Sequence, residues 1–318
     1  MEVKDKNEGL KNLKKIVINQ SKKIEEKNPA EELPARESVE INLQTLLQAG
    51  VHFGHQTSRW NPKMAPFIHS VRNGVHIISL PRSLVCWEIA RKAVVEIAAN
   101  GGNILFVGTK KQAQDIVELE AKRCGVHYVN HRWLGGMITN FKTIRKSIDQ
   151  MKKLETILAD ENASYAGMKY TKKERLMMER DKEKLESGLG GIKKMYRAPD
   201  LIFVIDIKRE NLAIAEAKKL DIPIVALADT NCDPNTVEYP IPANDDGARS
   251  IAIFTAAVSD AVSEGRAIMK ERGLAVNDKA EEVEDIQVKG GDSEDATKKF
   301  SKGKRGKKAT NNDAEEAK

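Results

Sequence analysis

His52 and His55 in VHFGH stand three residues apart, a spacing that would align two imidazoles on a helix. Gly54 and the neighbouring Phe53 make this stretch a turn or loop instead, and it is no HExxH metal motif. Three readings fit it: histidines packing and hydrogen bonding within a loop, metal ligation, or RNA contact. Carboxylates gather in DTNCDP (Asp229 to Pro234), at the end of an apolar strand, and in NDDGAR (Asn244 to Arg249), which opens a helix. In such places they can simply cap a turn and a helix. VGTKKQ also joins a strand to a helix, but it has one glycine where a dinucleotide loop needs three, and GxxxxGK[ST] is absent from the chain. Thr109 there reads either as a helix cap or as part of a helix N-terminus whose free amides face an RNA phosphate. No Ser, His and Asp set and no Cys and His pair is suggested by spacing, so nucleophilic catalysis has no candidate. The alternative these motifs leave open is an enzyme on a Rossmann-like sheet, acting on a nucleotide sugar or phosphosugar through Thr109, Asp229 and Asp245.

A second group of residues combines cations with planar rings. Arg59, Trp60 and Lys63 in TSRWNPKM, Arg72 in HSVRNGVH, Lys110 and Lys111 in GTKKQ, and the run NHRWLGGMITNFKTIRK all fall at loops or helix starts. Each alone is an ordinary solvated cation. Together they suit a phosphate backbone with unstacked bases, so RNA is the partner this surface fits.

The elements that must position these residues follow from periodicity. INLQTLLQAG predicts a short helix ended by Gly50, and the stretch from Val51 to Leu80 reads as loop and short strand. Apolar residues at helical spacing from Leu84 to Ala98, with Pro81 near the start and Gly101 after the end, predict a helix. Ile104 to Val107 is an apolar strand, Lys110 to Arg123 a helix and His127 to Val129 a strand. Leu201 to Ile205 and Ile224 to Ala228 repeat the order around another helix, and residues 245–272 close the domain with a helix. Continuous apolar strands alternating with amphipathic helices predict a parallel sheet covered on both faces. Between the two halves, residues 142–197 form an insertion with two helical stretches. Sparse apolar residues there (Ile144, Ile148, Met151, Leu154, Leu158; Leu176, Met177, Leu185, Leu189) predict an antiparallel coiled-coil hairpin. Asn130 to Thr139 would end the sheet, with Gly135 and Gly136 reversing the backbone and Thr139 or Asn140 capping the first arm helix. Trp133, Leu134 and Phe141 would wedge the arm's base against the domain.

Composition bounds the whole. With 318 residues, 40% apolar and 31% charged, the chain can bury a real core and is too polar for membrane work. No apolar run approaches a membrane span, and the N-terminal residues show neither a signal h-region nor the bias of a transit peptide. Three cysteines, Cys86, Cys124 and Cys232, lack CxxC spacing and lie in apolar stretches, which suits buried thiols in a reducing cytoplasm. The net charge is +6, and residues 142–197 alone hold 15 Lys and Arg against 9 Asp and Glu, the same surplus, so the arm carries the imbalance. Residues 1–40 read as an extension, disordered or a short helix around Leu10, Leu13, Ile16 and Val17. Residues 41–276 are the α/β domain, and 277–318 a disordered tail, acidic then basic.

VHFGHQTSRWNPKM, NGVHIISL, ILFVGTKKQA, VNHRWLGGMITNFKTIRKSI and the long run from Ala198 to Ile251 closely resemble, in order, the bacterial small-subunit ribosomal protein two family, from about Ile41 to Arg272. The resemblance implies a flavodoxin-like parallel sheet with a protruding helical hairpin, and no catalysis. It implies a cytoplasmic place on the solvent side of the small ribosomal subunit, between head and body. Family members bind small-subunit ribosomal RNA beside neighbouring subunit proteins, and dock ribosomal protein one, which captures messenger RNA. Carried over by position, the RNA-facing residues are Arg59, Trp60, Lys63, Lys110, Lys111, His131, Arg132, Lys142 and Arg145. Members can hold zinc near that dock, where His55, Asp229 and Asp245 or Asp246 match; no cofactor is otherwise required. Two departures stand out: the family pattern begins near Ile41, and its tail is usually shorter and acidic, without KKFSKGKRGKK.

Overall fold

The computed structural model describes residues 40–159, 164–165 and 168–273; the readings made for the two ends of the chain lie outside the described residues. In chain order the elements are α1 (Leu43–Gln48), β1 (Phe53–Gln56), β2 (Ile68–Arg72), β3 (Val75–Ile78), α2 (Leu80–Ala99), β4 (Ile104–Val107), α3 (Lys111–Cys124) and β5 (His127–Val129). The arm follows as α4 (Phe141–Ala159), β6 (Ser164–Tyr165), β7 (Met168–Lys169) and α5 (Lys172–Leu189). The second half is β8 (Leu201–Ile205), α6 (Asn211–Lys219), β9 (Ile224–Ala228), β10 (Tyr239–Pro242) and α7 (Ala248–Glu271).

β10, β9, β8, β4 and β5 form a parallel sheet in that order. Side chains alternate across it, as strand geometry demands. Ile104, Phe106, Phe203, Val225, Leu227 and Ile241 face one core with Trp87, Val94, Phe254 and Val258. Leu105, Val107, Ile202, Val204, Ile224 and Ala226 face the other with Trp133, Met137, Ile144, Ile148, Ala213 and Ala217. Both faces are thus dry, which is why these strands read as unbroken apolar runs, and each fully buried large side chain contributes about 1.5–3 kcal/mol.

Two elements were not anticipated. Val51 to Leu80 holds an antiparallel sheet in the order β1-β3-β2 rather than loop with isolated strand. Its turn uses Asn73 and Gly74, both at positive φ, the pair favoured for a two-residue hairpin. β10, with Pro240 and Pro242, completes the parallel sheet at its outer position.

The hairpin is formed by α4 packing on α5. Thr171 and Glu174 make a reciprocal capping box at the start of α5. The expected seam needs one correction. Ile144, Ile148, Met151 and Leu189 are buried, but Leu176 and Met177 are exposed, at 48% and 57%. The inward positions of α5 are less exposed Arg175, Met178, Lys182 and Leu185, and Arg175 donates to the Leu158 carbonyl. A guanidinium stem and a methionine fill the seam near the tip, so the true stripe on α5 is offset from the most apolar letters.

Candidate functional site

Strands of a parallel sheet present their carboxyl ends on one edge, and four loops bring polar side chains together there. After β4 come Thr109 and Lys110, after β8 Asp206, after β9 Asp229 and Thr230, and after β10 Asp245 and Asp246. Lys110, the four aspartates and His55 form one connected cluster. The Lys110 ammonium lies 2.6 Å from Asp245, 2.8 Å from Asp246 and 3.0 Å from Asp206. His55, delivered by β1, places Nδ1 3.0 Å from Asp229 and Nε2 3.4 Å from Asp246. Asn231 stands 3.1 Å from the same Nε2.

The loop carrying His55 is fixed from below. The Thr230 hydroxyl accepts from the His55 backbone N–H at 2.9 Å, and the Thr230 carbonyl accepts from Asn61 at 2.8 Å. Gly54 is required at this crossing, because a Cβ would strike the Thr230 side chain at 2.6 Å and crowd the His76 carbonyl. Asp206 takes a positive φ of 71° so that its carboxylate accepts from the backbone of Lys208 and Arg209.

The electrostatics follow from burial and crowding. Burial, then the charges of Asp206 and Asp229, push Asp245 up to about 7 against the opposing pull of Lys110. Burial alone would lower Lys110, but the Asp245 charge and the bonds to Asp245 and Asp246 outweigh it and raise the pKa. His55 is raised first by its hydrogen bond to Asp229, against burial, with the charges of Asp229, Asp245 and Asp246 helping. Burial, then the charges of Asp245, Asp229 and Asp206, drive the Cys232 thiol far upward, and its Sγ donates to the Asp229 carbonyl at 3.0 Å.

One donor atom each from His55, Asp229 and Asp245 falls within 4.8 Å of the others, so the three residues matched to zinc do converge. Lys110, carried over as RNA-facing, has its ammonium ringed by three carboxylates. One sequence reading fails at this edge. Thr109 does not cap α3; Lys110 occupies that position, and the Thr109 hydroxyl donates to buried Glu210 and accepts from Arg209 at 2.8 Å. The enzyme trio is therefore split: Thr109 is committed to Glu210, and both aspartates to the cluster.

The arm's base is organised by a residue that sequence reasoning missed. Glu216 of α6 is buried and accepts five hydrogen bonds, from Trp133 Nε1 (3.1 Å), the N–H groups of Gly136 (2.7 Å), Ile138 (3.2 Å) and Thr139 (3.2 Å), and the Thr139 hydroxyl (3.0 Å). Burial would raise this carboxyl, but the donors led by Trp133 outweigh it and hold the pKa below the ordinary range. Its signal was an acid inside the buried stripe of Ala213, Ile214 and Ala217. Of the expected wedge, Trp133 is buried, Phe141 half-buried and Leu134 exposed. Gly136 makes the reversal at φ 83°. Asn140, not Thr139, stands at the head of α4, accepting from the Thr143 hydroxyl at 2.9 Å.

Arg59, Trp60, Lys63, Lys111, His131, Arg132, Lys142 and Arg145 are all exposed. Trp60 packs beside His76, centroids 5.1 Å apart, and Lys63 pairs with Asp233 at 2.5 Å. Arg132, Lys142 and Arg145 have no carboxylate partner among the described residues.

By class, the described residues form an α/β domain with a helical arm, a carboxylate cluster at the carboxyl edge of its sheet and uncancelled cations at the arm's root. A family profile described as "Ribosomal protein S2" matches residues 46–265. Proteins described as "Small ribosomal subunit protein uS2" are similar to it. That of Geotalea uraniireducens is 55% identical over 71% of this chain and 86% of its own length. That of Kocuria rhizophila is 55% identical over 71% and 78%, and that of Nitratidesulfovibrio vulgaris 52% over 73% and 84%. The chain belongs to the ribosomal protein S2 family.

Proposed function

We propose that this protein is a structural constituent of the small ribosomal subunit, without catalysis, and that it binds small-subunit ribosomal RNA through the arm's root. Family membership across residues 46–265 carries the first part. The exposed, uncancelled Arg132, Lys142 and Arg145 support the second, because a phosphate gains most from a cation that has no acid already bound to it. In a cell lysate the tagged protein should sediment with small subunits; recovery only at the top of the gradient would end this reading. Arg132→Ala with Lys142→Ala should weaken binding to a small-subunit rRNA transcript and flatten the logarithmic salt dependence by about 0.7–0.9 per lost contact.

The finer reading assigns the carboxyl edge to docking ribosomal protein one, with a divalent ion as bridge. The donor set supports it: one imidazole and two buried carboxylates converge, and four aspartates outnumber the one lysine, leaving charge for a dication. His55, Asp229 and Asp245 would hold zinc, which would offer a further coordination position to a partner's carboxylate. Zinc content by mass spectrometry, with His55→Ala and Asp229→Ala as controls, tests this. Absence of stoichiometric zinc and chelator-insensitive affinity for ribosomal protein one would remove the bridge while leaving the RNA reading intact.

A further inference from the structure

Tyr196, in the segment returning from the arm, is 41% exposed although it is a large aromatic on a folded surface. Two cations of α4 lie over its ring: the Arg145 guanidinium carbon is 5.3 Å from the centroid and the Lys152 ammonium 5.9 Å. They are seven residues apart, which on a helix is 20° short of two full turns, so they share one stripe and rise about 10.5 Å along the axis. The ring spans them from outside the helix.

A ring partner differs from an acid partner in one decisive respect. A carboxylate orders a lysine and cancels its charge, as Glu155 does for Lys193 one turn beyond Lys152. A tyrosine ring orders a cation through its quadrupole and carries no charge. Arg145 and Lys152 have no carboxylate partner among the described residues. They are therefore held in place uncancelled, Arg145 exposed and Lys152 half-buried. Fixing two long side chains in advance also removes ordering entropy that binding would otherwise cost.

We infer that Tyr196, Arg145 and Lys152 form a pre-organised clamp for the ribosomal RNA backbone, extending the contact from the arm's root two turns along α4. Tyr196 acts as a positioning residue and the two cations touch phosphate. The inference rests on the RNA-binding reading above and adds Tyr196 and Lys152 to it. Its geometry favours a nucleic acid over an acidic peptide, because cations flanking an exposed ring meet both a phosphate and a neighbouring base or ribose.

The test uses the full chain and a small-subunit rRNA transcript in filter binding across a salt series. Lys152→Ala should lower affinity about five- to tenfold and flatten the salt slope by about 0.7–0.9. Tyr196→Phe should bind as the native chain does, whereas Tyr196→Glu should lose at least as much as Lys152→Ala, with thermal melting unchanged in each. Native affinity and slope in Lys152→Ala would overturn the clamp, and so would Tyr196→Glu binding as well as Tyr196→Phe. If Lys152→Ala instead loses binding only to a polyglutamate peptide, the surface serves an acidic protein and the inference falls. Arg132→Ala with Lys142→Ala separates the two levels: loss there alone removes the clamp and keeps the RNA reading, while no loss in either set removes both.

Discussion

Lys110 and Lys152 are the same residue type, and both follow from strongly basic stretches of sequence, yet they carry opposite lessons. At the carboxyl edge, Lys110 is enclosed by Asp206, Asp245 and Asp246, so its charge is spent inside the protein. On the arm, Lys152 rests on a neutral ring and its charge remains for a partner. Formal charge counted along a chain does not give the potential outside it; the identity of each cation's nearest neighbour does.

The contrast is broken most forcefully by removing Lys110. Three crowded carboxylates then lose the lysine they share, and Lys110→Ala should cost about 3–5 kcal/mol in urea unfolding. A loss below about 1 kcal/mol would mean the acids share protons and do not depend on the lysine. Lys152→Ala, by comparison, should leave stability within about 0.5 kcal/mol.

Glu216 sharpens the same point with the signs exchanged, since here one buried acid is balanced by donors instead of cations. Glu216→Gln places an amide N–H among backbone N–H groups and should cost about 1.5–3 kcal/mol. The folded pKa lies below the ordinary 4.5, so this contribution is fully present above 4.5 and fades as pH falls through the lower, folded value. The gap between native and variant stability should accordingly narrow in acid. A gap that stays constant from pH 7 to 3 would show that the charge on Glu216 is irrelevant.

Gly191 tests how the arm is rooted. A Cβ there would collide with the Tyr128 carbonyl oxygen of β5, so Gly191→Ala should cost about 1–3 kcal/mol by forcing the arm's return off the sheet. Differential scanning calorimetry reads this directly, and an unchanged melting temperature would mean the root yields freely.

The smallest effect is expected on the outer face of the arm. Leu176 is 48% exposed, so Leu176→Ser should change stability by less than about 0.5 kcal/mol. A larger loss would restore Leu176 to the seam.

These contrasts also explain what the sequence made legible. β4, β5, β8 and β9 were found at their observed limits because burial on both faces leaves an unbroken apolar word. β1 and β2 were hidden because they are short and little buried, with Gly54, His69 and Arg72 interrupting any alternation, and β3 because four residues alternating half-buried and buried are too few to stand out. β10 was hidden by its prolines, which argue against a strand unless it lies at an edge. Parallel-sheet geometry brings the loops of Asp229 and Asp245 side by side, but His55, 174 or more residues from either, was joined to them only by family likeness. The fate of Lys110 was invisible for a like reason: its partners come from loops after β8 and β10. Glu216 is legible in principle, since an acid among alanines on a buried helix face must have donors around it.

The two outer strands of the parallel sheet, β10 and β5, are finished differently. Pro240 and Pro242 deny β10 two of the amide donors that a stray strand would need, and the arm's return at Gly191 sits against the β5 backbone. In a protein free of its partners, an open sheet edge is a template for self-association. Both margins of this sheet are closed by the chain itself, so the free protein can wait for assembly without adding strands from its own copies.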